Sequence, residues 1–197
     1  MIKIIKYFFL IVLVALINGC AHKIDIAPSN DKITTNSSEI KKKNYSVGYY
    51  IDDIDLEVIS AGGGGDKVKY QPYKETESAF RAVLVKHFTK VYNIKSLDNK
   101  KLILDNNIKY IFTYNMNTYS FSESIFTWPP TKFSITLDCK AVDSEDNLVW
   151  NKVIMDDGYA TYDEFKYDFS LAAKRASENV FKKLMIELNN VKEVENK

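Results

Sequence analysis

Two stretches of alternation constrain the fold more than anything else in this 197-residue chain. In residues 108–117, Ile108, Tyr110, Phe112, Tyr114 and Met116 alternate with Lys109, Thr113, Asn115 and Asn117. In residues 133–141, Phe133, Ile135, Leu137, Cys139 and Ala141 alternate with Ser134, Thr136, Asp138 and Lys140. Successive side chains of a strand point to opposite faces, so this pattern gives two strands with one buried and one wet face each. Such a sheet needs an apolar layer on one side.

Two amphipathic segments can supply that layer. Phe80, Val83, Leu84, His87, Phe88 and Val91 recur at intervals of three and four, predicting a helix over 76–92. Glu75 and Glu77 stand at its start and Lys86 and Lys90 near its end, the order that suits the helix dipole. Ala173, Ala176, Val180, Leu184 and Leu188 predict a second helix over 170–188, whose Ala-rich first half permits close approach to the sheet or to the first helix. Residues 45–51 read as a first strand, extended or restarted over 56–59. Asp143-Ser144-Glu145-Asp146-Asn147 reads as a hairpin turn into a strand over 148–155 that carries Trp150, and Asp156-Asp157-Gly158 as a bend. The expected class is α+β: an antiparallel-rich sheet of about four strands packed against two helices, in one domain.

The N-terminus sets the location. Lys3 and Lys6 precede an apolar run over 7–17. That run is shorter than the ~20 residues of a membrane-spanning helix and has the length and flanks of an export signal. It ends Leu16-Ile17-Asn18-Gly19-Cys20, which resembles the bacterial lipobox. The resemblance implies lipidation of the Cys20 thiol, cleavage before it and acylation of the new amino terminus. One acyl chain anchors marginally at ~0.8 kcal/mol per buried CH₂, whereas three hold firmly. Ala21 follows in place of the Asp that retains many enterobacterial lipoproteins in the inner membrane, so the expected site is the outer membrane, facing the periplasm, in a two-membrane cell and the cell membrane in a cell with one. Residues 1–19 are then a removed signal, 20–43 a lipidated polar tether ending in Lys41-Lys42-Lys43, 44–190 the globular domain and 191–197 a charged tail.

Composition and motifs exclude several chemistries. Loss of residues 1–19 leaves 178 residues and moves the formal charge from +1 to −1, far from a nucleic-acid surface. Cys139 has no disulfide partner once Cys20 is lipidated, and alternation puts it on the core face as a small hydrophobe. Gly62-Gly63-Gly64-Gly65 is followed by Asp66-Lys67-Val68 where a phosphate loop requires Gly-Lys-Ser/Thr, so it reads as a flexible loop. The only histidines, His22 and His87, are too few for a metal or catalytic cluster, and the 143–147 carboxylates lack the order of a calcium loop. No cofactor, metal or catalytic set is expected.

The order strand, helix, long strand, hairpin partners, helix, with the 143–147 turn, the Trp150 strand and the final Ala172, Ala173, Ala176, Val180 helix, resembles the YajG-type group of outer-membrane lipoproteins. More loosely it is similar to small envelope accessory lipoproteins of the LpoB type. The resemblance implies a binding or accessory role with an envelope protein partner and supplies no catalytic residue. The chain departs from that pattern at Gly62–Gly65 and in the aromatic segment 119–133. There Pro129 and Pro130 interrupt strand pairing, leaving Phe126 and Trp128 as candidate partner-binding residues, with closure of the core by Trp128 as the alternative. A competing reading is an envelope hydrolase of peptidoglycan or lipid using Asp156, Asp157, Asp163 and Glu164; a third is a carrier of an apolar ligand between sheet and helices.

Overall fold

The computed structural model describes residues 21–34, 40–63, 65–123, 127 and 129–189. Strands β2 (Lys43–Tyr49), β5 (Phe88–Asn93), β6 (Ile108–Phe121), β7 (Lys132–Val142) and β8 (Leu148–Tyr159) form one sheet in the order β5-β2-β6-β7-β8. β2 runs parallel to both neighbours, and β6, β7 and β8 form an antiparallel meander. A second sheet, β1-β4-β3, joins β1 (Ala21–Lys23), β4 (Lys67–Tyr70) and β3 (Val58–Ala61). The class is α+β as expected, with five strands in the main sheet rather than about four and a small second sheet beside it.

Helices α2 (Pro72–His87) and α5 (Leu171–Asn189), the latter preceded by the short helix α4 (Tyr162–Phe165), cover one face of the main sheet. The buried face carries the alternating residues, with Tyr114 opposite Cys139, Met116 opposite Leu137 and Leu137 opposite Ile154. Between sheet and helices the rings of Phe80 and Tyr114 stand 4.7 Å apart and those of Tyr114 and Phe181 6.3 Å, so side chains fill the space considered for an apolar ligand. The hydroxyl of Tyr114 meets Thr76 Oγ1 at 2.8 Å, and Thr76 donates to the Pro72 carbonyl at 2.7 Å, which satisfies both buried hydroxyls. On the opposite face, helix α3 (Lys100–Asp105) closes a small cluster of Ile94, Ile103, Ile108 and Ile111 at the β2–β6 side. The β6–β8 part of that face has no helix over it among the described residues.

Several sequence expectations are corrected by tertiary contacts. The first long helix ends at His87, and Phe88 turns to extended backbone (φ −127°, ψ 150°) to begin β5, so Phe88 and Val91 belong to a strand. β2 takes that strand as a parallel partner, and pairing outweighs the helical spacing. Asp156-Asp157-Gly158 is strand, not bend. The backbone of α5 lies against Gly158, where an added Cβ would meet Ala172 O at 2.0 Å and Ala176 N at 2.3 Å. The Ala-rich half of α5 thus approaches the sheet. Of the glycine run, Gly62, Gly63 and Gly65 lie in the turn of the β3–β4 hairpin, closed by Gly62 N to Asp66 O at 2.9 Å and Asp66 N to Gly63 O at 3.1 Å, with Gly65 at φ +84°. The 143–147 turn is as read: Asp143 Oδ1 accepts from Glu145 N at 2.8 Å and Asn147 N at 3.0 Å.

The largest correction concerns the tether. Residues 21–34 are part of the folded body: β1 pairs with β4, Ile24, Ile26 and Ile33 are buried, and helix α1 (Asn30–Thr34) packs on α2 and α5. Glu75 holds the segment, accepting from Ile26 N at 2.7 Å through one oxygen and from Gln71 N at 3.1 Å through the other. Lys32 pairs with the buried Glu178 at 3.1 Å. The segment is polar on average, yet its three isoleucines meet a surface that only the folded domain creates.

Candidate binding face

The uncovered face of β6–β8 is built by the same alternation that builds the core. Residues opposite in parity to the buried set point outward: Thr113, Asn115, Asn117, Tyr119 and Phe121 on β6, Lys132 to Lys140 in steps of two on β7, and Asn151, Val153, Met155, Asp157 and Tyr159 on β8. The meander register aligns them in rows across the three strands. Asn115, Asp138 and Val153 form one row, Asn117, Thr136 and Met155 the next, then Tyr119, Ser134 and Asp157, and last Phe121, Lys132 and Tyr159. Tyr119 is 61% exposed, Phe121 44%, Val153 59%, Met155 64% and Tyr159 55%. Scattered surface apolar side chains are ordinary, but five large ones on one face of one sheet form a patch.

Lys132 organises its aromatic end. Its ammonium pairs with Asp157 at 2.8 Å and lies 5.5 Å from the Tyr159 ring centre, while Tyr159 OH donates to Asp157 at 3.0 Å. The Lys132 contact holds the Asp157 carboxyl below the usual carboxylate range. Beyond this row a cleft of about 540 Å³ is lined by Glu123, Thr127, Thr131, Tyr159, Thr161 and Tyr162. The chain between β6 and β7 leaves through Thr131 N donating to Phe121 O at 2.9 Å, and Pro129 and Pro130 are buried. The candidate residues Cys20, Phe126 and Trp128 lie outside the described residues.

The four carboxylates considered for hydrolysis do not converge. Asp156 pairs with Lys183 at 3.0 Å, Asp157 with Lys132, Asp163 with Lys166 at 2.8 Å and Glu164 with Arg175 at 2.8 Å. Asp156 and Asp157 are adjacent in a strand and face opposite sides of the sheet. Arg175 grips Glu164 through both guanidinium nitrogens and holds its carboxyl down to about 2. Cys139 is buried, as alternation predicts, and burial pushes its thiol up to about 12. His87 is buried at the end of α2 with Nδ1 2.9 Å from Val83 O, and burial lowers its pKa.

The cluster of Tyr119, Phe121 and Tyr159 over the last two rows was missed by sequence reading, although its signal is present. Continuing the β6 parity past Asn117 places Tyr119 and Phe121 on the wet face; only the register brings Tyr159 beside them.

No family model matches the sequence, and no curated protein matches it. Among solved structures, a Xanthomonas campestris protein of the DUF330 family is similar in fold, with a TM-score of 0.53 and 13% identity over 88% of this chain and 96% of that one. Two weaker likenesses carry no argument. One is to a Helicobacter pylori protein described as a homolog of a neuraminyllactose-binding hemagglutinin (TM-score 0.42, 11% identity, 76% of this chain and 83% of that one). The other is to a Caulobacter crescentus protein described as a lipoprotein (TM-score 0.35, 9% identity, 82% of this chain and 92% of that one).

Proposed function

We propose that this chain is a lipid-anchored envelope protein that acts without catalysis, as an accessory or binding component of a periplasmic or outer-membrane complex. Cys20 carries the anchor, and the Val153–Met155 part of the open sheet face receives the protein partner. The observation that supports this reading is a lipobox-ended leader joined to a sheet with five large apolar side chains on its water-facing side. No described helix is long and apolar enough to cross a membrane.

Two measurements on cells test it. A fatty-acid analogue labels the wild type and not Cys20→Ser; equal labelling of both refutes the anchor. A photo-crosslinking residue at Met155 gives one discrete adduct with an envelope protein, and the same residue at Leu104, exposed on α3, gives none. Labelling without any adduct from Met155 or Val153 refutes docking on this face.

A further inference from the structure

We propose that the end of the domain formed by Phe121, Tyr159, Tyr162 and the β3–β4 turn rests on the membrane surface, with its aromatic rings at the level of the lipid headgroups. The inference rests on lipidation of Cys20 and adds what that anchor does to the domain. A flexible tether over 20–43 would give the domain a root-mean-square reach of about 27 Å. The fold removes that reach. β1 begins at Ala21, the residue after Cys20, and adjacent Cα atoms are ~3.8 Å apart.

The segment behind Ala21 cannot easily peel away. Ile24 N donates to Lys69 O at 3.0 Å, Ile26 N to Glu75 at 2.7 Å and Asp25 N to Ser170 Oγ at 2.9 Å, and Ile24 and Ile26 are buried. Ala21 is therefore fixed at one end of the molecule, and strand direction says which. β1 runs parallel to β4 with Ala21 opposite Lys67, and Lys67 is opposite Ala61 across the β3–β4 hairpin, so Cys20 precedes the strand at the hairpin-turn end.

That end also carries the tip of the β6–β7 hairpin. A Cβ on Gly63 would fall 1.5 Å from Thr127 O and 2.7 Å from the Ser122 side chain, and Ser60 Oγ lies 2.9 Å from Ser120 Oγ. The Phe121–Lys132–Tyr159 row is therefore the last row of the sheet on the lipid side, and Tyr162, 66% exposed, follows it. Tyrosine rings with a polar edge, beside a phenylalanine and a lysine whose ammonium lies over one of the rings, are what the headgroup layer accommodates. The opposite end, at Val142 and Leu148, stands away by the ten residues of β6 from Ile111 to Phe121, about 33 Å at the strand rise.

The test uses full-length lipidated protein in vesicles of phosphatidylethanolamine and phosphatidylglycerol. Nitroxides are placed at Phe121→Cys and Tyr162→Cys and, at the far end, at Leu148→Cys; the buried Cys139 stays unlabelled. Flotation with the vesicles, several-fold lower collision with a water-soluble nickel chelate at 121 and 162, and unchanged collision at 148 are expected. Flotation with all three sites equally accessible overturns the inference and leaves the anchor standing; failure to float overturns the anchor and the inference with it. Shielding of 121 and 162 in native membranes but not in pure lipid overturns it in favour of a protein contact. Amide exchange of the unsubstituted protein with and without vesicles gives an independent reading, with protection expected at 119–121 and 159–163 and none at 143–148.

Discussion

Gly158→Ala places a methyl group where β8 passes α5, and the structure gives its cost. The new Cβ would stand 2.0 Å from Ala172 O, 2.3 Å from Ala176 N and 3.0 Å from Arg175 C, all helix backbone, where ordinary contact begins near 3.4 Å. Strand and helix must separate by about 1.4 Å, and overpacking of this kind costs roughly 1–3 kcal/mol, occasionally more. The separation also stretches two bonds from α5 to the edge of β8, Arg175 to Tyr159 O at 2.7 Å and Asn179 to Asp157 O at 2.9 Å. Each contributes about 1 kcal/mol net. Restricting the unfolded chain returns about 0.4–1 kcal/mol, so the expected loss is roughly 3 kcal/mol. At 2–4 °C per kcal/mol for a chain of this size, Tm falls by about 10 °C. Urea unfolding with an unchanged m-value is the assay. Gly65→Ala is the control: nothing lies within 4 Å of its added Cβ, but φ of +84° makes the methyl cost about 1 kcal/mol. A Gly158→Ala loss under about 0.5 kcal/mol would refute the packing argument.

Cys139→Ala is expected to be well tolerated while Phe112→Ala or Leu137→Ala costs roughly 2–5 kcal/mol by cavity formation; the native thiol should stay inert to maleimide, and rapid labelling of the folded protein would contradict its burial. Glu164 titrates lower in the fold than its ordinary 4.5, down to about 2, so the stability it contributes is complete above pH 4.5 and disappears as pH falls toward 2. Acid titration of Tm should lose part of that slope in Glu164→Gln. Glu75→Ala removes acceptors from Ile26 N and Gln71 N, and amide exchange over 24–33 should accelerate while the middle of α2 stays protected. Unchanged exchange there would mean that burial of the isoleucines alone holds the segment.

How much was legible is best seen where expectation and outcome meet in single residues. The core-facing Tyr114 and Cys139, the 143–147 turn and the helix over Leu171–Asn189 follow from local pattern, because alternation, turn chemistry and amphipathic spacing act over a few residues. Phe88 and Val91 fit a helix by spacing and a strand by composition, and only the presence of β2 alongside decides. Gly158 reads as a bend because glycine breaks strands; its reason for being there is the α5 backbone, which folding brings beside it. The isoleucines at 24, 26 and 33 are the same case on a larger scale. Their surroundings average polar, and a composition argument compares that average with ordering entropy. The segment is held residue by residue, by Glu75, Ser170 and Glu178, which lie 49, 145 and 146 positions further along from their partners Ile26, Asp25 and Lys32. The lipobox-like ending at Cys20, and with it the expectation of an anchor, is legible in the sequence by itself, since such a signal is read in an unfolded leader. Which end of the domain Ala21 meets, and so where the proposed anchor would lie, was decided by the tertiary structure alone, because the parallel pairing of Ala21 with Lys67 is a contact between segments that the sequence keeps 46 residues apart.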